Sequence, residues 1–334
     1  MSPVQTSRLP QGGIVPPLIT PLLAPDKLDV AGLERLVEHV IEGGVHGIFI
    51  LGTSGEAPNL DYRLRREVIE RTVKFARHRV PVLVGITDTS FIEAVALGGF
   101  AADKGADALV TSAPYYFPVA QAELFDLVRR FARALPLPFY LYNMPQMTKV
   151  EFAPDTLRRA AQLEKVAGIK DSSGNLATWR QLVTVAGERP DWRLFVGPEE
   201  LLVETMRLGG HGGVNGGGQV APRLLVGLYE ALRKGDEAAV TELQRQLTLL
   251  GRIYSVGPYG SSVVQGMKCA LSLMGICSDL MTVPFSALAG RQRDRVRAVL
   301  EELGLKPKVR ARKTGRGAKA GDLPREKAAA SAGL

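Results

Sequence analysis

The chain is poor in the residues that most often carry metal and redox chemistry, with two cysteines, four histidines and two tryptophans among 334 residues. The histidines, His39, His46, His78 and His211, form no HxH or HExxH spacing, so metal coordination has no support in the sequence. Cys269 and Cys277 stand eight apart in the apolar stretch KCALSLMGIC. On one continuous helix they would share a face, yet the rise would hold them roughly 12 Å apart, too far for a disulfide. They are expected to be buried structural thiols. No apolar run approaches the ~18–20 residues that span a bilayer, and MSPVQTSRLPQGG has no apolar signal-peptide core. These absences point to a cytoplasmic protein that is not a membrane partner. No GxGxxG turn occupies residues 20–30 after the first apolar run, which argues against a doubly wound nucleotide-binding sheet.

The net charge of +8 is local, because residues 306–334 carry nine Lys/Arg against two Asp/Glu, leaving about +1 for residues 1–305. That tail has no aromatics and no apolar periodicity, so it is expected to be disordered and solubilising. A polyanion-binding arm is the sharper alternative. It lacks stacking residues and the near-neutral body offers no second basic face, so nucleic acid is not an expected partner.

From residue 14 to 215 short apolar runs alternate with amphipathic stretches. The runs are IVPPLIT (14–20), VHGIFIL (45–51), VPVLVGI (80–86), ADALVTS (106–112), LPFYLYN (137–143), KVAGIK (165–170), WRLFVG (192–197) and GHGGVN (210–215). Between them, segments such as 31–43, 63–76 and 122–135 place apolar residues at helical spacing, several after a capping residue such as Asp29, Asp61 or Ser90. Eight strand–helix units with nearly continuous apolar strands predict an α/β fold, a (β/α)8 TIM barrel of parallel strands. Residues 222–304 hold helical patterns only. The expected division is a disordered N-terminus over 1–11, a barrel over 12–234, a C-terminal helical extension over 235–304 and the basic tail over 305–334.

Catalysis in such a barrel sits at the C-terminal ends of the strands. The candidates there are GTSGE (52–56), Tyr115 and Tyr116, Tyr142 and Asn143, Lys170 and Asp171, and Val214 and Asn215. Lys170 closes an apolar strand, where a desolvated amine is a nucleophile for ketones. Alone, a lysine at a strand end is more often a snorkelling surface residue. Tyr142 shares a strand face with Tyr140 and neighbours the strand of Lys170, so its phenol is placed to relay protons; alone, it reads as a packing aromatic. Thr53 and Ser54, with the backbone N–H groups of their turn, suit a carboxylate.

Taken in order, GTSGE, APYYF (113–117), YNMP (142–145), GIKDSSGN (168–175) and LGGHGGVN (208–215) resemble the dihydrodipicolinate synthase and N-acetylneuraminate lyase family over residues 12–304. The resemblance implies a lyase or aldolase that makes or breaks a carbon–carbon bond with pyruvate or another 2-oxo acid. It implies a Schiff base at Lys170, a proton shuttle at Tyr142, and Thr53 linking that phenol to Tyr116, a residue lent across a subunit interface in a homotetramer built as a dimer of dimers. Thr53 and Ser54 would hold the pyruvate carboxylate and the Val214 carbonyl would face the ketoacid. No cofactor is expected, since the protonated imine does the work of a Lewis acid. The family's synthases place an arginine where this chain has Met147, and a thioether cannot grip a carboxylate bidentately. Lys149, nearby, is not an equivalent fork. The partner aldehyde is therefore expected to differ from aspartate semialdehyde, with 2-oxo-3-deoxy sugar acids a candidate class and the synthase the second reading. A silent regulatory barrel is disfavoured by the intact Lys170, Tyr142 and Thr53 set.

Overall fold

A computed structural model describes residues 9–305. The expected disorder of residues 1–8 and of the tail 306–334, and the polyanion-binding alternative with it, lies outside the described residues. Leu9 to Gln11 rest against the barrel, where Gln11 accepts a hydrogen bond from Arg193 at 2.7 Å.

Eight parallel strands carry the fold: β1 (Gly13–Ile14), β2 (Ile48–Ile50), β3 (Val82–Gly85), β4 (Ala108–Ser112), β5 (Phe139–Asn143), β6 (Val166–Asp171), β7 (Arg193–Val196) and β8 (Gly212–Gly213). From β2 to β8 each strand pairs with the next in sequence, and β1 pairs with β8 through Gly13 and Gly212. The ring closes between the first two strands. Phe49 N donates to Pro16 O at 3.1 Å and Leu18 N donates to Phe49 O at 2.8 Å. Each strand lies inside or within one residue of its expected run, and all but β6 are shorter than it. The shortening is greatest in IVPPLIT, because Pro16 and Pro17 have no N–H to give to a ladder.

Two apolar layers result. Inside the ring, Val15, Phe49, Leu83, Ala108, Val110, Tyr140, Tyr142, Phe195 and Val214 form one cluster. Outside it, the opposite faces of the same strands pack against the helices. Burial on both faces is why these strands read as unbroken apolar runs rather than alternating ones. The helices begin where capping predicts. The side chains of Asp29, Asp61 and Ser90 accept from Gly32 N, Leu64 N and Glu93 N at the starts of Val30–Glu42, Tyr62–Ala76 and Phe91–Asp103.

After the barrel helix Pro222–Lys234 come Glu237–Gly251, Ser262–Leu273 and Gly290–Glu302. The helix carrying Cys269 ends at Leu273, before Cys277, so the two cysteines do not share one helical face. Both are buried and unbonded, and burial pushes their thiols up to about 11 and about 12. The extension is held to the barrel by charges taken out of water. Lys268 is wholly buried, pairs with Glu56 and donates to Leu280 O at 2.7 Å. Glu56 also accepts from Thr282 N at 2.9 Å and Thr282 Oγ1 at 2.7 Å. Burial lowers the Lys268 ammonium below the usual lysine range, against the pull of Glu56.

At the opposite end of the barrel two histidines act as clips. His46 N donates to Ile14 O at 2.8 Å, and Ile14 N donates back to His46 Nδ1 at 3.2 Å. His211 repeats the device on Leu194, at 2.9 and 3.1 Å. A ring that accepts at Nδ1 carries its proton on Nε2 and is neutral; a second proton would oppose the strand N–H. Burial lowers both imidazoles below the ordinary value, with Arg233 adding to the effect at His46 against Glu230, and Arg193 adding to it at His211. The unfolded chain therefore binds more protons than the folded one below about pH 6.5, so this contribution is full above that pH and declines as the pH falls through the lower folded values. Thermal melts from pH 7.5 to 5.5 should show a fall in Tm that shrinks in the His46→Asn, His211→Asn double variant, whose amide oxygen accepts without titrating. Equal slopes in the two proteins would refute the clips as the source.

Candidate active site

Lys170 and Tyr142 stand side by side because of an irregularity in the ladder. β5 and β6 pair Phe139 with Val166 but Tyr140 with Gly168, so Ala167 is passed over as a bulge. From there Tyr142 aligns with Lys170 and Asn143 with Asp171. A side chain at Gly168 would place its Cβ 2.1 Å from Arg193 O, which leaves only glycine for the bulge. Lys170 and Tyr142 are each 7% exposed, so the lysine is a buried residue of the barrel rather than a snorkelling surface one. Its Nζ lies 4.1 Å from the centre of the Tyr142 ring and 5.3 Å from that of Phe49, a cation held over aromatic faces.

The Tyr142 and Thr53 hydroxyls are 3.3 Å apart. Burial by itself would raise the Tyr142 phenol. The Lys170 charge and hydrogen bonds from Thr53, Ser172 and Lys170 outweigh it and bring the phenol below its ordinary value. Ser172 belongs to the GIKDSSGN motif but had no role in the sequence reading. Thr53 and Ser54 are half-buried in the turn after β2. Gly55 N and Glu56 N fold back onto Gly52 O and Thr53 O at 3.1 Å each. The N–H groups of Thr53 and Ser54 have no hydrogen-bond acceptor among the described residues. Val214, 5% exposed, follows β8 and joins the same interior cluster.

Asn143 and Asp171 point the other way. Asn143 Nδ2 donates to Asp171 Oδ1 at 2.7 Å and Ser173 Oγ to Asp171 Oδ2 at 2.9 Å, so the pair ties the ends of the two strands together behind the site. Burial raises the Asp171 carboxyl, partly offset by these bonds.

A single chain does not bring Tyr116 to the cluster. It is 76% exposed and packs edge-on against Phe117, while Tyr115 lines the cavity beside Tyr142 and Thr53. That cavity has a volume of about 330 Å³, and Met147 stands at its rim. Lys149 does not line it. Its left-handed backbone, φ 61°, turns the side chain back to Gln146 O at 3.1 Å. A larger cavity of about 740 Å³ lies at the N-terminal end, among Gly12, His46, His78 and His211. In a parallel barrel that face contributes stability rather than chemistry.

Glu199, in the turn after β7, was not among the strand-end candidates. It is fully buried, accepts from Gly217 N at 2.6 Å and from Tyr254 OH at 2.8 Å, and burial pushes it up to about 7 against those bonds. It fixes the glycine loop after Val214 to the C-terminal extension. The run GPEE after an apolar strand was the available signal.

Known proteins match this arrangement along nearly the whole described chain. The sequence profile of the dihydrodipicolinate synthetase family matches residues 10–303. An Escherichia coli protein named as a probable 2-dehydro-3-deoxy-D-pentonate aldolase is 34% identical over 299 residues, covering 88% of this chain and 98% of the relative. The solved dihydrodipicolinate synthase of Bacteroides thetaiotaomicron is 48% identical, with a TM-score of 0.85 over 88% of this chain and 99% of its own. YagE of E. coli, described as belonging to the dihydrodipicolinic acid synthase family and solved in complex with pyruvate, is 31% identical, with a TM-score of 0.84 and the same coverage. The likeness takes in both the barrel and the helices packed behind it, and the chain belongs to the dihydrodipicolinate synthetase family and is, with it, a class I lyase or aldolase that works on pyruvate through a lysine Schiff base.

Proposed function

We propose that the enzyme reversibly cleaves 4-hydroxy-2-oxo acids, the class that includes 2-oxo-3-deoxy sugar acids, to pyruvate and an aldehyde without a carboxylate. The observation that carries this reading is the contact of Lys170, Tyr142 and Thr53 at one mouth of the barrel. The Lys170 amine condenses with the C2 ketone and loses water, giving a protonated imine. Tyr142 gives its proton to the departing hydroxide and, then a phenolate, takes the proton from the C4 hydroxyl; the C3–C4 bond breaks, and its electron pair passes into the imine to form an enamine while the aldehyde leaves. Protonation at C3 and addition of water release pyruvate and the free amine. Thr53 positions the phenol and, with Ser54, offers N–H and hydroxyl donors to the carboxylate of the 2-oxo acid. The Val214 carbonyl lines the ketoacid side. The name of the E. coli relative, an aldolase, favours aldol cleavage over the synthase reaction. Met147 at the rim, with Lys149 turned away, disfavours aspartate semialdehyde and hence the synthase reading.

Exposed Tyr116 beside Phe117 motivates a further part of the proposal, a homotetramer built from dimers in which a partner's loop completes the site.

Borohydride should reduce the pyruvate imine at Lys170 to a stable amine adduct, read by mass spectrometry, and Lys170→Ala should lose it while remaining folded. An undiminished adduct in that variant would remove Lys170 from the mechanism. For aspartate semialdehyde, the missing charged pair is expected to cost about 2–5 kcal/mol, roughly 30- to several-thousand-fold in kcat/KM, part of which Met147→Arg should recover. A wild-type value above ~10⁴ M⁻¹s⁻¹, in the normal enzyme range, would reverse the ranking of the two readings. Light scattering at assay concentration should show the oligomer, and Tyr116→Phe should lower kcat without dissociating it; a fully active monomer would contradict the shared site.

A further inference from the structure

The geometry points to a partner aldehyde with an apolar, uncharged chain, selected by Pro58, Met144, Met147, Val264, Met281 and Phe285. This rests on the aldolase reading and narrows its substrate class to 4-hydroxy-2-oxo acids with a carbon-rich substituent at C4.

The cavity that opens from Tyr142 and Thr53 is walled by two segments far apart in sequence. Met144 and Met147 come from the end of β5, while Val264, Met281 and Phe285 come from the C-terminal extension. The second wall is fixed in place. Thr282, next to Met281, donates twice to buried Glu56, and Asn59 Nδ2 donates to Val283 O at 3.1 Å. Pro58, between Glu56 and Asn59, completes the lining.

The polar groups around this space are mostly spoken for. Glu56 is paired with Lys268 and Thr282. Thr87 accepts from Ser112 N at 3.0 Å and from Ser112 Oγ at 3.3 Å. Thr148 donates to Met144 O at 3.1 Å and Val150 O at 2.9 Å. Thr53 and Tyr142 belong to the chemistry. Tyr115 and Ser261 are the hydroxyls left over. No lysine or arginine lines the cavity among the described residues. A chain bearing several hydroxyls would leave its water without enough new partners, a loss that sites built of carbon and sulfur impose on polar ligands. An alkyl or aryl chain loses nothing and covers the thioethers, which adapt to its shape. The volume of about 330 Å³ is small for a ligand cavity, so the chain is short.

The test uses the purified full-length enzyme in the synthetic direction, with pyruvate and either isovaleraldehyde or D-glyceraldehyde, which have the same number of heavy atoms. The expected result is a kcat/KM about ten-fold or more in favour of isovaleraldehyde, the scale on which apolar pockets discriminate. Met281→Gln, its fold checked by a thermal melt, should narrow that ratio; if this variant does not fold, the wild-type ratio still decides. Equal values, or a preference for glyceraldehyde, would overturn the apolar chain and leave the aldolase reading standing. Failure of borohydride to trap pyruvate would overturn the aldolase reading and this inference with it.

Discussion

The bulge at Ala167 is the constraint on which the site depends. Val166 packs in the outer layer with Phe139, and strict alternation from there would send Lys170 outward too. Passing over one residue reverses the sense of every later side chain. Ile169 then joins the outer layer with Leu141, and Lys170 enters the barrel beside Tyr142. Gly168 makes the irregularity possible because the Arg193 carbonyl occupies the place of a Cβ. A lysine inside an apolar ring needs compensation. It has the Tyr142 and Phe49 faces and a phenol whose ionised form its own charge favours.

Around that pair, the loops at the strand ends are held by buried polar contacts rather than by apolar packing alone. Glu56 joins the turn carrying Thr53 to Lys268 and Thr282, and Glu199 joins the glycine loop after Val214 to Tyr254. Buried ion pairs contribute little net stability once desolvation is counted, but each removes alternatives, since an unpaired partner is costly. The helical extension is thus a structural part of the mouth. It supplies one wall of the cavity and anchors two of the turns at the strand ends.

The two ends of the site differ in chemistry. The end near Lys170 offers charge, hydroxyls and unspent backbone donors at Thr53 and Ser54, suited to a 2-oxo acid. The far end offers sulfur and carbon at Met144, Met147 and Met281.

The sequence alone determined the barrel and its order of elements. Eight apolar runs separated by capped amphipathic helices leave few other ways to bury both faces of every strand, and the caps at Asp29, Asp61 and Ser90 act within a few residues of themselves. It also marked Lys170, Tyr142, Thr53, Ser54 and Val214, because motifs at strand ends converge on one face. Tertiary structure decided what depends on contacts between distant segments. Whether Lys170 faces inward follows from a bulge that an apolar pattern does not encode. That Lys268 neutralises Glu56, 212 positions away in sequence, that Glu199 holds Gly217, and that Lys149 turns from the cavity all follow from packing. A sequence records which charges exist; only the folded chain determines which of them must find each other when water is removed.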